Sequence, residues 1–208
     1  MDEYQDAESA FRSALRLSAT NIPARHLFAR FLIDRERPKE AIEILEAGLD
    51  YDSEDLRLRH TLAIAFAADD RNAELVVGQF RLATQSLIHH WPVTFDLAVY
   101  LYLQGREREA KELFQELSEL ELDRWETLRP RALPAFAPHI DLQRLGTIVS
   151  LRDAYGFLRV EGHPFEVYLD RYHVTPQLDA RLVEGQKLKF RLAFNLRGPT
   201  ARDVTIAP

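Results

Sequence analysis

The sequence predicts a multidomain chain, all-α then all-β: a solenoid of paired helices followed by a small barrel of five strands. Three observations carry that prediction. Apolar residues recur at helical spacing through residues 1–122, and the pattern returns every 34 or 35 residues. Beyond residue 142 the period falls to two, as in half-buried strands, giving a second domain over 142–208. Between the two, residues 123–141 carry Pro130, Pro134 and Pro138, which mark a linker. Charge divides in nearly the same place. Met1–Trp125 holds 15 Lys+Arg against 24 Asp+Glu, whereas Glu126–Pro208 holds 12 against 9. Halves of opposite sign point to modules with different partners.

The helices are read from two interleaved series. Ala7–Phe11–Ala14 is answered by Ala41–Leu45–Gly48, Val76–Phe80–Ala83 and Ala110–Phe114–Leu117, whose first members lie 34, 35 and 34 residues apart. Upstream of the last three stand Phe28-Ala29 with Leu32, Leu62-Ala63 with Phe66, and Leu97-Ala98 with Leu101. Small Ala29, Ala63 and Ala98 let paired helices approach while the larger residues fill the space between them. Pro23 and Pro92 stand where two of these helices should start, a place that tolerates proline. The pattern resembles the tetratricopeptide repeat, a helix–turn–helix of about 34 residues. It departs from that family in lacking the usual proline near the repeat end and in having glycine at the inner turn only at Gly105.

The resemblance implies a solenoid whose concave face is lined by the first helix of each pair. In that register the lining is His26, Arg30, His60, Ile64, Phe95, Val99 and Tyr102, polar at one end and apolar at the other. A protein or peptide ligand is the expected occupant. The competing expectation is that the protein's own apolar segment Leu133–Ile140 covers the apolar end. Ala7–Phe11–Ala14 belongs to the second helix of a pair whose first helix is absent, so a fragment of a longer protein, with upstream repeats or another domain, is expected.

The β half offers strands at Gly146–Arg152, Tyr155–Glu161, Phe165–Leu169, Lys187–Phe194 and Arg202–Ala207. Five short strands in so short a segment fit a Greek-key barrel of the oligonucleotide/oligosaccharide-binding (OB) type. Five stretches, in order, resemble bacterial cold-shock domains. GTIVSLRD matches G-T-V-K-W-F-N, YGFLRV matches K-G-F-G-F-I, and FEVYLD matches V-F-V-H-F-S. VEGQKLKF at Val183–Phe190 and GPTARDVTI at Gly198–Ile206 match E-G-Q-K-V-x-F and G-P-Q-A-A-N-V.

That resemblance implies a surface on which exposed aromatics stack unpaired bases of single-stranded RNA or DNA. Alternation puts Tyr155, Phe157 and Arg159 on one face of their strand, and Glu166 and Tyr168 on one face of the next. Phe157 stands where a stacking Phe is expected, and Tyr168 replaces a stacking His. Ser150 replaces the family's Trp, Leu151 and Leu169 replace Phe, Arg159 replaces the second Phe of its motif, and Glu166 replaces an aromatic. Arg152, Lys187 and Lys189, with Arg171, Arg191, Arg197 and Arg202, supply positive charge for phosphate.

The composition excludes several chemistries. With no cysteine there are no disulfides, thiolate nucleophiles or thiolate metal sites. No apolar run approaches the ~20 residues of a membrane span, and no basic-then-apolar leader opens the chain, so a cytoplasmic protein is expected. His89-His90 point apart, and His139, His163 and His173 have no carboxylate pair at ligand spacing, so no metal, cofactor or catalytic residue is expected. Two readings remain. One is a non-enzymatic adaptor that holds a protein partner on its repeats and single-stranded nucleic acid on its barrel. The other is a scaffolding or regulatory C-terminal part of a larger protein, with the barrel as a structural or protein-contact module.

Overall fold

The computed structural model describes residues 3–84, 91–121, 127–128, 131, 136, 142–161, 163 and 165–207. His89-His90, His139, the three linker prolines and all of Leu133–Ile140 except Phe136 lie outside them.

Among the described residues seven helices with defined bounds come first: α1 Glu3–Leu17, α2 Ile22–Asp34, α3 Pro38–Leu49, α4 Leu56–Ala68, α5 Ala73–Thr84, α6 Trp91–Leu103 and α7 Glu107–Ser118. Side chains cap at least three of them, Asn72 accepting from the Glu74 amide at the start of α5. Asn21 accepts from the Ala24 amide, and Asp55 accepts from the amides of Arg57 and Leu58. Pro23 opens α2 and Pro92 lies in the first turn of α6, as their fixed φ favours.

The inner turns repeat in geometry where the sequence does not. Glu36, Asp70 and Gly105 all adopt left-handed backbone, with φ of 58°, 53° and 72°. After each, an arginine amide reaches back across the turn at 2.9 Å: Arg37 to Leu32, Arg71 to Phe66, Arg106 to Leu101. This is the Schellman closure of a helix end, built with glycine at only one of its three occurrences.

Both apolar series become core. Ala29, Ala63 and Ala98 are fully buried, and so are Leu45, Phe80 and Ala110 of the second helices. Gly48 allows a close approach: a Cβ there would stand 2.8 Å from Leu58 Cδ1, and that side chain would have to shift. α1 differs, having no fully buried residue. It docks through Phe11, stacked on Phe28 at 5.4 Å, and through Glu8, which takes both Arg12 and Arg37.

Five strands close into a barrel in the order β1-β2-β3-β5-β4: β1 Gln143–Leu151, β2 Tyr155–Val160, β3 Glu166–Asp170, β4 Lys187–Asn195 and β5 Gly198–Ile206. The β3–β5 pairing is parallel and the others are antiparallel. A 3-10 turn at Arg171–His173 and a short helix α8, Pro176–Asp179, join β3 to β4. Ile148, Leu158, Val167, Leu169, Leu188 and Phe190 fill the interior. Gly156 cannot carry a side chain, since a Cβ would meet the Ser150 carbonyl at 2.9 Å.

β1 and β5 start earlier than the alternation predicts. Gln143–Leu145 pair with β4 by backbone, although their side chains lack an apolar alternation. Gly198-Pro199 reads as a turn, yet it pairs with Asn195 and Phe194 across a two-residue hairpin.

Packing groups the chain as two compact units. One is Met1–Leu97 joined by Pro134–Pro138, and the other is Ala98–Leu133 with His139–Pro208. The change of period near residue 142 and the division by packing therefore fall in different places. The cause lies within the second unit. Phe194 of β4 meets Tyr102 of α6 edge-on at 5.2 Å and stacks on Phe114 of α7 at 6.2 Å. Hence β4 turns from alternating to buried throughout over its last four residues. In the first unit, Phe136 is buried edge-on to Phe80 at 6.3 Å.

Candidate functional site

The β2–β3 ladder assembles an aromatic patch from alternation alone. Along β2, Gly156, Leu158 and Val160 are buried, while Tyr155, Phe157 and Arg159 face outward. Pairing sets Phe157 opposite Tyr168 and Arg159 opposite Glu166. The rings of Tyr155, Phe157 and Tyr168 lie within 5.8–5.9 Å of one another, two pairs edge-on and one stacked. Each ring braces the next and limits its rotamers, which suits a platform for flat ligands. Ser150 lies beside Phe157 on the other flank and adds no ring.

The charged residues of the same surface divide into engaged and open. Arg159, 66% exposed, donates to Glu166, 44% exposed, at 3.1 Å. Thr147 of β1 pairs with Arg159 on one side and Lys187 on the other. Two strand spacings therefore separate those cations, about 10 Å. Lys189 is exposed opposite the equally exposed Leu145. Arg152 is exposed at the β1–β2 turn, where its carbonyl accepts from Arg171 at 2.6 Å. Tyr155, Phe157, Arg159 and Tyr168 are thus gathered into one patch, with Lys187 and Lys189 along its β4 side and Arg152 beyond the end of β1.

The residues expected along the repeat face differ in access. In the first unit Arg30 is exposed, His26, His60 and Ile64 are half-buried, and Phe95 is buried. His60 Nε2 lies 2.8 Å from Asp96 Oδ2, a pairing that sequence spacing does not signal. Burial, then the charges of Arg30 and Arg57, push the His26 pKa down. In the second unit Val99 and Tyr102 are buried. Tyr102 lies against His163, Phe165 and Phe194, and its burial pushes the phenol up to about 12. Among the described residues no three His, Asp or Glu gather to hold a metal ion, and no helix is long and apolar enough to cross a membrane.

Two residues on or beside the barrel surface escaped the sequence reading. Leu145 is 58% exposed, and Tyr172 in the turn after β3 is 83% exposed. Neither belongs to an apolar alternation, the only signal that sorts inward from outward residues before pairing is known.

Comparison with known proteins supports the helical half by fold. Residues 1–74 match the tetratricopeptide repeat family model. A solved structure described as YrrB, a TPR protein with an unusual peptide-binding site, superposes with a TM-score of 0.51 at 20% identity, covering 59% of this chain and 63% of that one. MamA 41-end from Desulfovibrio magneticus RS-1 gives 0.52 at 23% identity over 57% of this chain and 67% of that one. Ribonuclease R of Escherichia coli (strain K12) and that of Shigella flexneri are each 38% identical over 93 residues, 45% of this chain. The chain spans 11% of the length of those curated relatives. Residues 1–74 thus match tetratricopeptide repeats, and the helical half shares the fold of solved repeat proteins; in this chain a closed five-stranded barrel follows.

Proposed function

We propose that this chain is a non-enzymatic, cytoplasmic adaptor whose repeats hold a protein partner and whose barrel, an OB-type barrel of cold-shock kind, binds single-stranded RNA or DNA. The observation that carries the nucleic-acid half is the mutually braced Tyr155–Phe157–Tyr168 patch, with Lys187 two strands from neighbouring Arg159 across Thr147. Exposed rings accept any base, and cations at their edge follow the phosphates. The β2–β3 face is also where OB barrels take their ligands. The partial likeness to ribonuclease R, an enzyme named for acting on RNA, supports the same reading. On the first unit, His26, Arg30, His60 and Ile64 are the expected lining residues that are exposed or half-buried, His60 being paired with Asp96.

The test is a fluorescence anisotropy titration of the full chain with labelled single-stranded RNA and DNA at two salt concentrations. Binding should weaken as salt rises. Phe157→Ala should lower affinity about five- to a hundredfold, the cost of one stacked base. Salt-insensitive binding, or binding unchanged by Phe157→Ala, contradicts the reading.

A specific observation favours the second reading, a structural or protein-contact barrel in a scaffold. Phe194 seals Tyr102 and Phe114 of the last repeat helices. A barrel serving only as that seal would tolerate Phe157→Ala and bind no nucleic acid at low salt.

A further inference from the structure

The aromatic patch has two ends, and they are unlike. At the Glu166 end lies a cavity of about 610 Å³ lined by Glu107, Arg108, Lys111, Phe165 and Glu166. Its lining mixes two carboxylates with two cations, and Glu166 is already bonded to Arg159. At the other end, Tyr155 pairs with Asp170, the last residue of β3, and the chain passes into the 3-10 turn.

Tyr172 projects from that turn with 83% of its surface exposed, the most exposed aromatic among the described residues. The backbone beneath it is pinned on both sides. Asp170 Oδ1 accepts from the Tyr172 amide at 3.1 Å, and Asp170 Oδ2 lies 3.0 Å from His173 Nδ1. Arg171 grips Asp179 of α8 through two bonds at 2.6 and 3.0 Å and donates to the Arg152 carbonyl at 2.6 Å. The Arg171 amide donates to Ala154 at 3.2 Å, tying the turn to the β1–β2 connection. Asp170 and Asp179 are thus both engaged within the turn. A ring held out on a fixed backbone loses little freedom when a base lies on it.

We propose that Tyr172 is a further base-stacking platform for single-stranded nucleic acid. It extends the track from Phe157 and Tyr168, through Tyr155, to the β1–β2 turn, where Arg152 meets the phosphates. This rests on the nucleic-acid reading of the β2–β3 face. Tyr172 lies two residues beyond Asp170, the strand partner of Tyr155.

The experiment titrates the full chain, Tyr172→Ala, Tyr172→Phe and Phe157→Ala with labelled oligouridylate and oligothymidylate of about ten nucleotides, within the ~4–16 typical of such sites. Tyr172→Ala should weaken binding about five- to a hundredfold, and Tyr172→Phe, which keeps the ring, should restore it. The exposed ring is not part of the core, so circular dichroism should be unchanged. If Tyr172→Ala binds like the unsubstituted chain while Phe157→Ala weakens, this inference falls and the β2–β3 reading stands. If Tyr172→Phe is as weak as Tyr172→Ala, stacking is overturned. If the unsubstituted chain shows no salt-sensitive binding, the parent reading falls and this one with it.

Discussion

Glu166 faces Arg159 across the β2–β3 ladder, on the surface where a nucleic acid would need the guanidinium. Its carboxylate therefore competes with phosphate for the same donors. An exposed pair of this kind contributes about 0.2–1 kcal/mol, so releasing it should leave the barrel folded. Glu166→Gln should raise affinity for single-stranded RNA several-fold and steepen the log–log salt dependence by about 0.7, one added phosphate contact. Anisotropy titrations at several salt concentrations check both numbers; unchanged affinity and slope would mean that Arg159 takes no part. The sequence made Arg159 and Glu166 visible as substitutions of aromatics, and alternation put them outside. Their pairing was not legible, because it depends on strand register, which one strand's pattern does not contain. Tyr172 was hidden for a related reason: alternation ends at Asp170, and an aromatic in a turn carries no sign of its exposure.

The three inner turns of the repeats share one geometry with three different residues. A left-handed backbone costs a residue with a Cβ roughly 1–2 kcal/mol, and glycine avoids that cost. Glu36→Gly should therefore stabilise the protein by about 1 kcal/mol, and Gly105→Ala should destabilise it by a similar amount, both read from urea melts. Asp70 should gain less than Glu36, since aspartate visits this region more readily. The helices themselves were legible because stripes of Ala, Leu, Phe and Val survive wherever two helices must touch. Glycine marks only the turn at Gly105, since the closure is made by backbone amides that any residue can supply.

The junction of α1 with α3 adds a pH dependence. Hydrogen bonds from Arg37, then Arg12, pull the Glu8 carboxyl from 4.5 down to about 2. A depressed folded value means that this contribution is complete above the unfolded value near 4.5 and is lost as pH falls toward 2. Hydrogen exchange of α1 should therefore quicken relative to α3 below pH 4.5, and Glu8→Gln should remove that difference.

At the scale of the whole molecule, composition and packing divide the chain differently. Charge and period change near residues 125 and 142, but Tyr102 and Phe114 belong by packing with the barrel. The paired expectation that Phe95, Val99 and Tyr102 line an apolar end of a groove came from repeat register alone. Register places residues on a face, but what covers that face depends on contacts far along the chain. Phe194, which covers Tyr102, lies 92 residues downstream of it. By contrast, the barrel's outward patch was legible because its members sit on adjacent strands in simple alternation.

The central claim is that bases stack on the outer face of β2 and β3. Photocrosslinking of the full chain to single-stranded RNA carrying 5-bromouridine, with the adducts mapped by mass spectrometry, tests it at the residue. The account predicts adducts at Tyr155, Phe157 and Tyr168 that disappear at high salt. Adducts confined to the helical repeats, or none at low salt, would contradict it.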